Sequence, residues 1–268
     1  VAASELDRLN RSTWSRESTL EVFAARDGPI DPGEALLLER LCSALAGEPI
    51  LDVGVGGGRS VPLLRRFSDD YVGIDYLEEM VSLTRTRFPD ARIEHVDARD
   101  LSPFADGSFA LAFWSANGID GVSHTDRSRV LSEIRRVLRP GGFFAFSTHN
   151  LRHPLSGRPP WHYRWFLCPP RIALLRASRL RRRAEAYRRA ASGVQRGQGW
   201  GTLVDPAYEF GLLTHFTTLA EARAELVESG FEPEIEAWDT QGSELASGAE
   251  TRSPWFHLLA RTPRRDCG

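Results

Sequence analysis

Three aspartates close apolar runs in the first half of the chain: Asp52 in ILDVGV, Asp75 in YVGID and Asp97 in RIEHVDA. A carboxylate at the end of the second strand, Asp75, is placed to accept both hydroxyls of a ribose. Gly54, Gly56, Gly57 and Gly58 follow Asp52 at once. Glycine adopts left-handed backbone freely and carries no Cβ, so a ligand can lie close against such a turn. A second set of residues could do acid–base chemistry. SANGIDGVSH holds Asn117, Asp120 and His124, STHNLRH holds His149 and His153, and LLTHFTT holds His215. A free histidine titrates at about pH 6.5, so each is a candidate base. His149 leads, because it leaves the apolar run FFAFSTH on the side where ligands gather in open sheets. Asp120 and His215 are further candidates. No metal site is expected. His149 and His153 are four apart, but Pro154 follows them and interrupts a helix, and the cysteines Cys42, Cys168 and Cys267 are scattered.

The glycine turn narrows the ligand class. The dinucleotide fingerprint G-x-G-x-x-G needs a small residue where this chain has Arg59. The phosphate loop ends in lysine, and all 34 basic residues of this chain are arginine. The pattern that fits is acid-x-G-x-G-x-G, running from Asp52 through Gly54 and Gly56 to Gly58.

These residues need elements to hold them. DPGEALLLERLCSALAG reads as a helix with Asp31 as N-cap, Pro32 at the first position and Gly47 closing it. Beyond residue 49, apolar strands alternate with amphipathic helices, which predicts a mostly parallel sheet covered on both faces. In LEEMVSLTRTRF, Leu77, Met80, Val81 and Thr84 share one face, and in HTDRSRVLSEIRRVL, Val130, Ile134, Val137 and Leu138 do so. RPGG is expected to stop that second helix before the strand FFAFSTH. Residues 151–212 break the rhythm, and it resumes with TLAEARAELVESGF, EPEIEAWDT and PWFHLLAR.

The ordered blocks LDVGVGGGRSVPLL, VGIDYLEEMV, EHVDARDLSPFADGSFALAFWS and LSEIRRVLRPGGFFAFSTHN resemble class I S-adenosylmethionine-dependent methyltransferases, and ESGFEPEIEAW resembles the end of that fold. The resemblance implies a Rossmann-like seven-stranded, mostly parallel α/β sheet with helices on both faces and an inserted lid. It divides the chain into an N-terminal helical cap (1–49), a cofactor-binding core (50–150), a lid (151–212) and a completion of the sheet (213–268). The cofactor is then S-adenosylmethionine, with S-adenosylhomocysteine as product. Asp52, Gly54, Gly56 and Gly58 would hold its methionine part and Asp75 its ribose. Tyr76 and Met80 would pack on the adenine, Asp97 and Ala98 would read its edge, and backbone at Trp114 and Ser115 would face the sulfonium.

Acceptor contacts are sought in Trp14, Asn117, His124, Trp161, Tyr163 and Tyr208. Leu151 to Arg196 carries twelve arginines and a single acid, Glu185, in a chain of net charge −2. Ile172, Leu175, Leu180, Ala184 and Tyr187 offer this segment a thin apolar stripe. Trp165 and Phe166 stand just before it. A solvated helix, recognition of an anionic substrate, and contact with nucleic acid or a membrane surface all remain open for it. The acceptor is expected to be a small molecule of natural-product or specialised metabolism. The alternatives are a peptide or protein side chain, or a non-catalytic protein that binds the cofactor or nucleic acid. No RNA-binding module accompanies the arginines. No apolar run approaches the ~18 residues of a membrane span, and the N-terminus has no secretory h-region, so a cytoplasmic location is expected.

Overall fold

The computed structural model describes residues 5–162 and 170–264. Three helices, α1 (Glu5–Trp14), α2 (Glu17–Ala24) and α3 (Pro32–Leu41), precede the first strand. α3 begins where its sequence predicts: the Glu34 amide donates to Asp31 at 2.9 Å, and Pro32 fills the first turn. It stops at Leu41, short of Gly47, and a 3₁₀ turn over Cys42–Ala44 follows. Next come β1 (Ile50–Val53), α4 (Val61–Leu64), β2 (Tyr71–Asp75), α5 (Glu78–Arg87), β3 (Arg92–His95) and β4 (Phe109–Trp114). α6 (His124–Val137) and β5 (Leu138–Asn150) complete the central region. After α7 (Pro170–Ala190), the chain forms β6 (Gln195–Arg196), β7 (Trp200–Asp205), β8 (Leu212–Thr217), α8 (Leu219–Glu228), β9 (Glu236–Asp239) and β10 (Trp255–Arg261).

Strands β3, β2, β1, β4 and β5 lie side by side and parallel. β10 runs antiparallel along β5, and β9 antiparallel along β10. These are the seven strands the sequence predicts. Three more extend the sheet. β8 pairs with β5 only at its tip, His149 beside Phe216 and Asn150 beside Thr217, and β7 and β6 follow antiparallel. β6 and β7 fall inside the segment expected to be a lid. β6 is two residues long and β7 contains Gly201, so local pattern is weak there and pairing with β8 supplies the structure. RPGG also departs from expectation: it lies within β5, where Gly141 at φ +74° accompanies a register shift against β4.

One core cluster packs Leu51, Val53, Ile74 and Phe144 under α6 and α8. The other packs Ile50, Leu111 and Phe113 under α3 and α5. A small third cluster, containing Leu6, Ala190, Val204, Phe210 and Leu213, joins α1 and α7 to the added strands. Asn10 fixes that junction: its Nδ2 donates to the Leu213 carbonyl at 2.7 Å and its Oδ1 accepts from the Leu213 amide at 3.0 Å. The α7 stripe joins this cluster through Tyr187. Tyr163, Trp165, Phe166 and the side chains of Ile172 and Leu175 lie outside the described residues.

Candidate cofactor cleft and acceptor site

The glycine turn leaves β1 with Gly54, Gly56 and Gly58 all at positive φ, between +55° and +84°. A Cβ on Gly54 would lie 2.6 Å from the Trp114 indole nitrogen, and one on Gly58 would lie 2.6 Å from the Phe88 ring. Gly57 has a reason of its own: a Cβ there would meet the Phe23 carbonyl oxygen at 2.5 Å, because the end of α2 rests on the turn. Asp52 is fully buried and braces the turn from behind, accepting from Ser60 Oγ at 2.5 Å and Tyr71 Oη at 2.7 Å. Its Oδ1 has no partner among the described residues, and burial pushes its pKa up to about 6.

Beyond the turn lies a narrow cleft of about 50 Å³, partly open to solvent. Gly54, Asp75, Tyr76, Asp97, Ala98 and Trp114 line it, with Asp7 and Arg99 at its edge. Asp75 accepts one backbone N–H on each oxygen, Gly56 at 3.0 Å and Leu77 at 2.9 Å. Each oxygen keeps a lone pair for a further donor. Burial raises the Asp75 pKa to about 6. Tyr76 meets Trp14 edge-on at 6.2 Å, and the Arg11 guanidinium lies over its ring at 4.7 Å. Met80 is buried on α5, outside the lining.

Two expected cofactor residues are tied up by arginines that the sequence reading did not single out for this. Arg99 donates to both oxygens of Asp97, and also reaches Asp7 of α1 at 2.9 Å and Asp126 of α6 at 3.5 Å. Burial works to raise the Asp97 pKa, but the Arg99 hydrogen bonds and charge outweigh it and hold it low. Ser115 is bonded to Glu34 and Arg59, which themselves form a buried ion pair at 2.7 Å. The Ser115 side chain therefore faces this pair and does not line the cleft.

The acid–base candidates converge at the tip of β5. The Thr148 hydroxyl donates to Asp120 Oδ1 at 2.6 Å, and the His149 amide donates to Asp120 Oδ2 at 2.6 Å. His149 Nδ1 lies 2.9 Å from the same Oδ2 and donates to it, which leaves Nε2 as the basic nitrogen. Asn117 Nδ2 lies 3.3 Å from that Nε2. Asn117 adjoins Gly118 of the cleft wall, so the turn after β4 joins the cleft to the imidazole. On its far side, Nε2 lies 3.5 Å from Asp205 Oδ2 at the end of β7. Burial works to lower the His149 pKa, but the Asp120 hydrogen bond and the Asp205 charge outweigh it and the net shift is upward. Behind Asp120, the buried Arg127 lies 3.6 Å from Oδ1 and grips Glu225 of α8 at 2.9 Å.

The other candidates stand apart from that pair. His215 is fully buried on β8 with Nδ1 unpartnered among the described residues, and burial drives its pKa well down. It faces His124 Nδ1 at 3.4 Å, and His124 stacks on Trp200 at 3.5 Å. His215 packs inside the added strands, outside the cleft lining. His124, His215 and Glu225 do cluster with metal-ligand spacing. Arg127 already engages both Glu225 oxygens, and a second cation there would sit against a buried guanidinium. Tyr208 stacks on Phe23, ring centroids 6.1 Å apart, and its buried hydroxyl finds no partner among the described residues. It begins a run of three left-handed residues, Tyr208, Glu209 and Phe210. Such backbone costs about 1–2 kcal/mol per residue outside glycine. Trp14 fills the space above Gly121. Trp161 is 47% exposed and meets Tyr187 edge-on. Tyr163 lies outside the described residues.

Asp205 had a sequence signal, an acid closing the apolar run GTLVD before a proline, like Asp52 and Asp75 at their strand ends. Arg99 stands two residues from Asp97, a local pairing with no motif to mark it, while its bond to Asp7 and that of Arg127 to Glu225 join segments 92 and 98 residues apart.

Residues 51–146 match the model of the methyltransferase domain family. The chain is 33% identical over 116 residues to a probable S-adenosylmethionine-dependent methyltransferase of Mycolicibacterium smegmatis, covering 43% of each protein. It is 31% identical over 150 residues to the 27-O-demethylrifamycin SV methyltransferase of Amycolatopsis mediterranei, covering 52% of this chain and 50% of that one. The chain thus spans about half the length of these curated relatives. Among solved structures, the Burkholderia thailandensis 1,6-didemethyltoxoflavin-N1-methyltransferase, with bound 1,6-didemethyltoxoflavin and S-adenosylhomocysteine, shares the fold. Its TM-score is 0.58 over 98% of this chain and 92% of that one, at 15% identity. Strand order, glycine turn and these matches together identify residues 51–146 as a methyltransferase domain, on a fold shared with S-adenosylmethionine-dependent methyltransferases.

Proposed function

We propose that this chain methylates a small-molecule acceptor with S-adenosylmethionine, in natural-product or specialised metabolism and in the cytoplasm. The observation that carries the reading is the joining of the cleft to an oriented imidazole: Gly118 lines the cleft, and its neighbour Asn117 touches His149. The residues present fit the cofactor. Gly54 offers bare backbone, Asp75 has two unused lone pairs for ribose hydroxyls, and Tyr76 and Ala98 offer apolar surface to the adenine. Asp52 braces the turn and keeps one oxygen unused. When bound, S-adenosylmethionine supplies a methyl group on a sulfonium, an electrophile that needs alignment more than activation.

The chain's own residues supply the rest. His149, with Nδ1–H held by Asp120, presents Nε2 to take a proton from the acceptor. Arg127 lies 3.6 Å from the other oxygen of Asp120 and backs the carboxylate from behind. Trp14 packs above Gly121 of the cleft wall, and the end of α2 rests on the glycine turn. The small-molecule class draws on relatives such as the rifamycin enzyme. No helix of the described residues is long and apolar enough to cross a membrane. Calorimetry of the full chain with S-adenosylhomocysteine tests the reading: saturable one-to-one binding is expected, and no heat at millimolar ligand overturns it.

A further inference from the structure

Asp205 belongs to no part of the cofactor cleft, yet it ends 3.5 Å from the basic nitrogen of His149. Its side chain is 8% exposed, and its other oxygen, Oδ1, accepts from the Ala207 amide at 2.6 Å, so the carboxylate is held in place. With Asp120 on Nδ1 and Asp205 facing Nε2, the imidazole is bracketed by two carboxylates. Glu225, Arg127, Asp120, His149 and Asp205 then form a chain of alternating charge across the sheet end whenever His149 carries two protons.

We infer that Asp205 is a positioning residue that receives the proton-bearing Nε2 after transfer, and that this bracketed imidazole suits an acceptor giving up a hydroxyl proton, as a phenol or enol does. The inference rests on the proposed methyl transfer at this site. A carboxylate acceptor has no proton to lose and would approach two carboxylates. A protonated amine would be held by them as an ammonium without a nucleophilic lone pair. A hydroxyl is neutral on entry, and its proton passes to Nε2. The oxygen pair forms the new bond to the methyl carbon, and the pair of the broken S–C bond stays on sulfur. No other reactant is needed.

Asp120 and Asp205 are the charged groups nearest His149, with Arg127 behind Asp120. His153 follows in the turn after β5 and the buried His215 lies on β8. The test is an NMR titration of the His149 ring in the full chain. Its midpoint in the native sequence lies above the ordinary imidazole value of about 6.5, and a midpoint at or below that value overturns the bracket without any variant. Asp205→Asn keeps an oxygen for the Ala207 amide and removes the charge. It lowers proton affinity at His149 on the order of tenfold, and an unchanged midpoint in the folded variant overturns the role of Asp205. Phenol at equal concentration to benzoate shifts the His149 ring signals while benzoate does not. A shift from benzoate, or from neither, overturns the hydroxyl assignment. Failure to bind S-adenosylhomocysteine would sink the transferase reading and leave these midpoints standing.

Discussion

The two halves of the site are built on different principles. In the cofactor half, the ligand surface is largely backbone and strand ends: three glycines at positive φ, and Asp75 carrying two amides from its immediate surroundings. In the acceptor half, side chains from distant segments converge: Asp120 on His149, Asp205 across from it, and Arg127 reaching Glu225 on α8. A backbone-built half tolerates little change in main-chain shape but spreads its energy over many contacts. A side-chain-built half can lose its chemistry with one residue while keeping its fold. The sharpest way to break this comparison is His149→Ala. Turnover is expected to fall on the order of a hundred- to ten-thousandfold, while affinity for S-adenosylhomocysteine is unchanged. Paired rate and calorimetric measurements check it. A loss of cofactor affinity of similar size would mean that the halves are one unit.

Asp75→Asn probes the other half. Hydrogen bonds to a charged group contribute about 1.5–3 kcal/mol, so S-adenosylhomocysteine is expected to bind about ten- to a hundredfold more weakly. The pH dependence sharpens this. Burial raises both Asp52 and Asp75 to about 6. Their folded pKa values exceed those of the unfolded chain, so their contribution to stability is full below about pH 3.9 and is lost as pH rises through 6. Ligand binding runs the other way, since only ionised Asp75 accepts from both ribose hydroxyls. The rise in melting temperature caused by S-adenosylhomocysteine should therefore shrink between pH 7 and pH 5. A constant rise would show that Asp75 does not carry the ribose.

The same division governed what the sequence made legible. The cofactor half is local: an acid, a turn and a strand end fall within a few residues of each other, and strand–helix alternation orders the blocks. The core β strands and the buried faces of α5 and α6 were therefore readable from periodicity. Asp120 and His149 were nominated separately, and nothing in their spacing of 29 residues announced that they touch. Arg99 on Asp7 and Arg59 on Glu34 were unreadable for the same reason: an ion pair across the fold has no sequence period. The added strands β6–β8 depend on pairing at the tip of β5, which no local pattern records.

Gly58→Ala tests the claim that the cofactor half is a matter of main-chain shape. Its φ of +84° is a left-handed conformation, and the new Cβ would lie 2.6 Å from the Phe88 ring. The strain alone costs about 1–2 kcal/mol, and the Phe88 contact adds to it. Denaturant unfolding should show a lower midpoint. An unchanged midpoint would mean that the turn relaxes freely and that its glycines are not needed for shape.

The smallest effect is expected on α7, which belongs to neither half. Arg181, Arg182, Arg188 and Arg189 are exposed, and the Arg181–Glu185 pair has side chains 83% and 49% exposed. An exposed pair of this spacing contributes about 0.3–0.5 kcal/mol, and solvated arginines elsewhere contribute little. Changing all four to glutamine should shift stability by about 0.5 kcal/mol or less and leave cofactor affinity unchanged. The informative quantity is then the acceptor's KM. If the arginines only solvate the helix, KM is unchanged at every salt concentration. If KM rises several-fold at low salt and the difference fades as salt screens it, the basic helix attracts the acceptor or the surface that delivers it, and the acceptor half extends beyond β8 to α7.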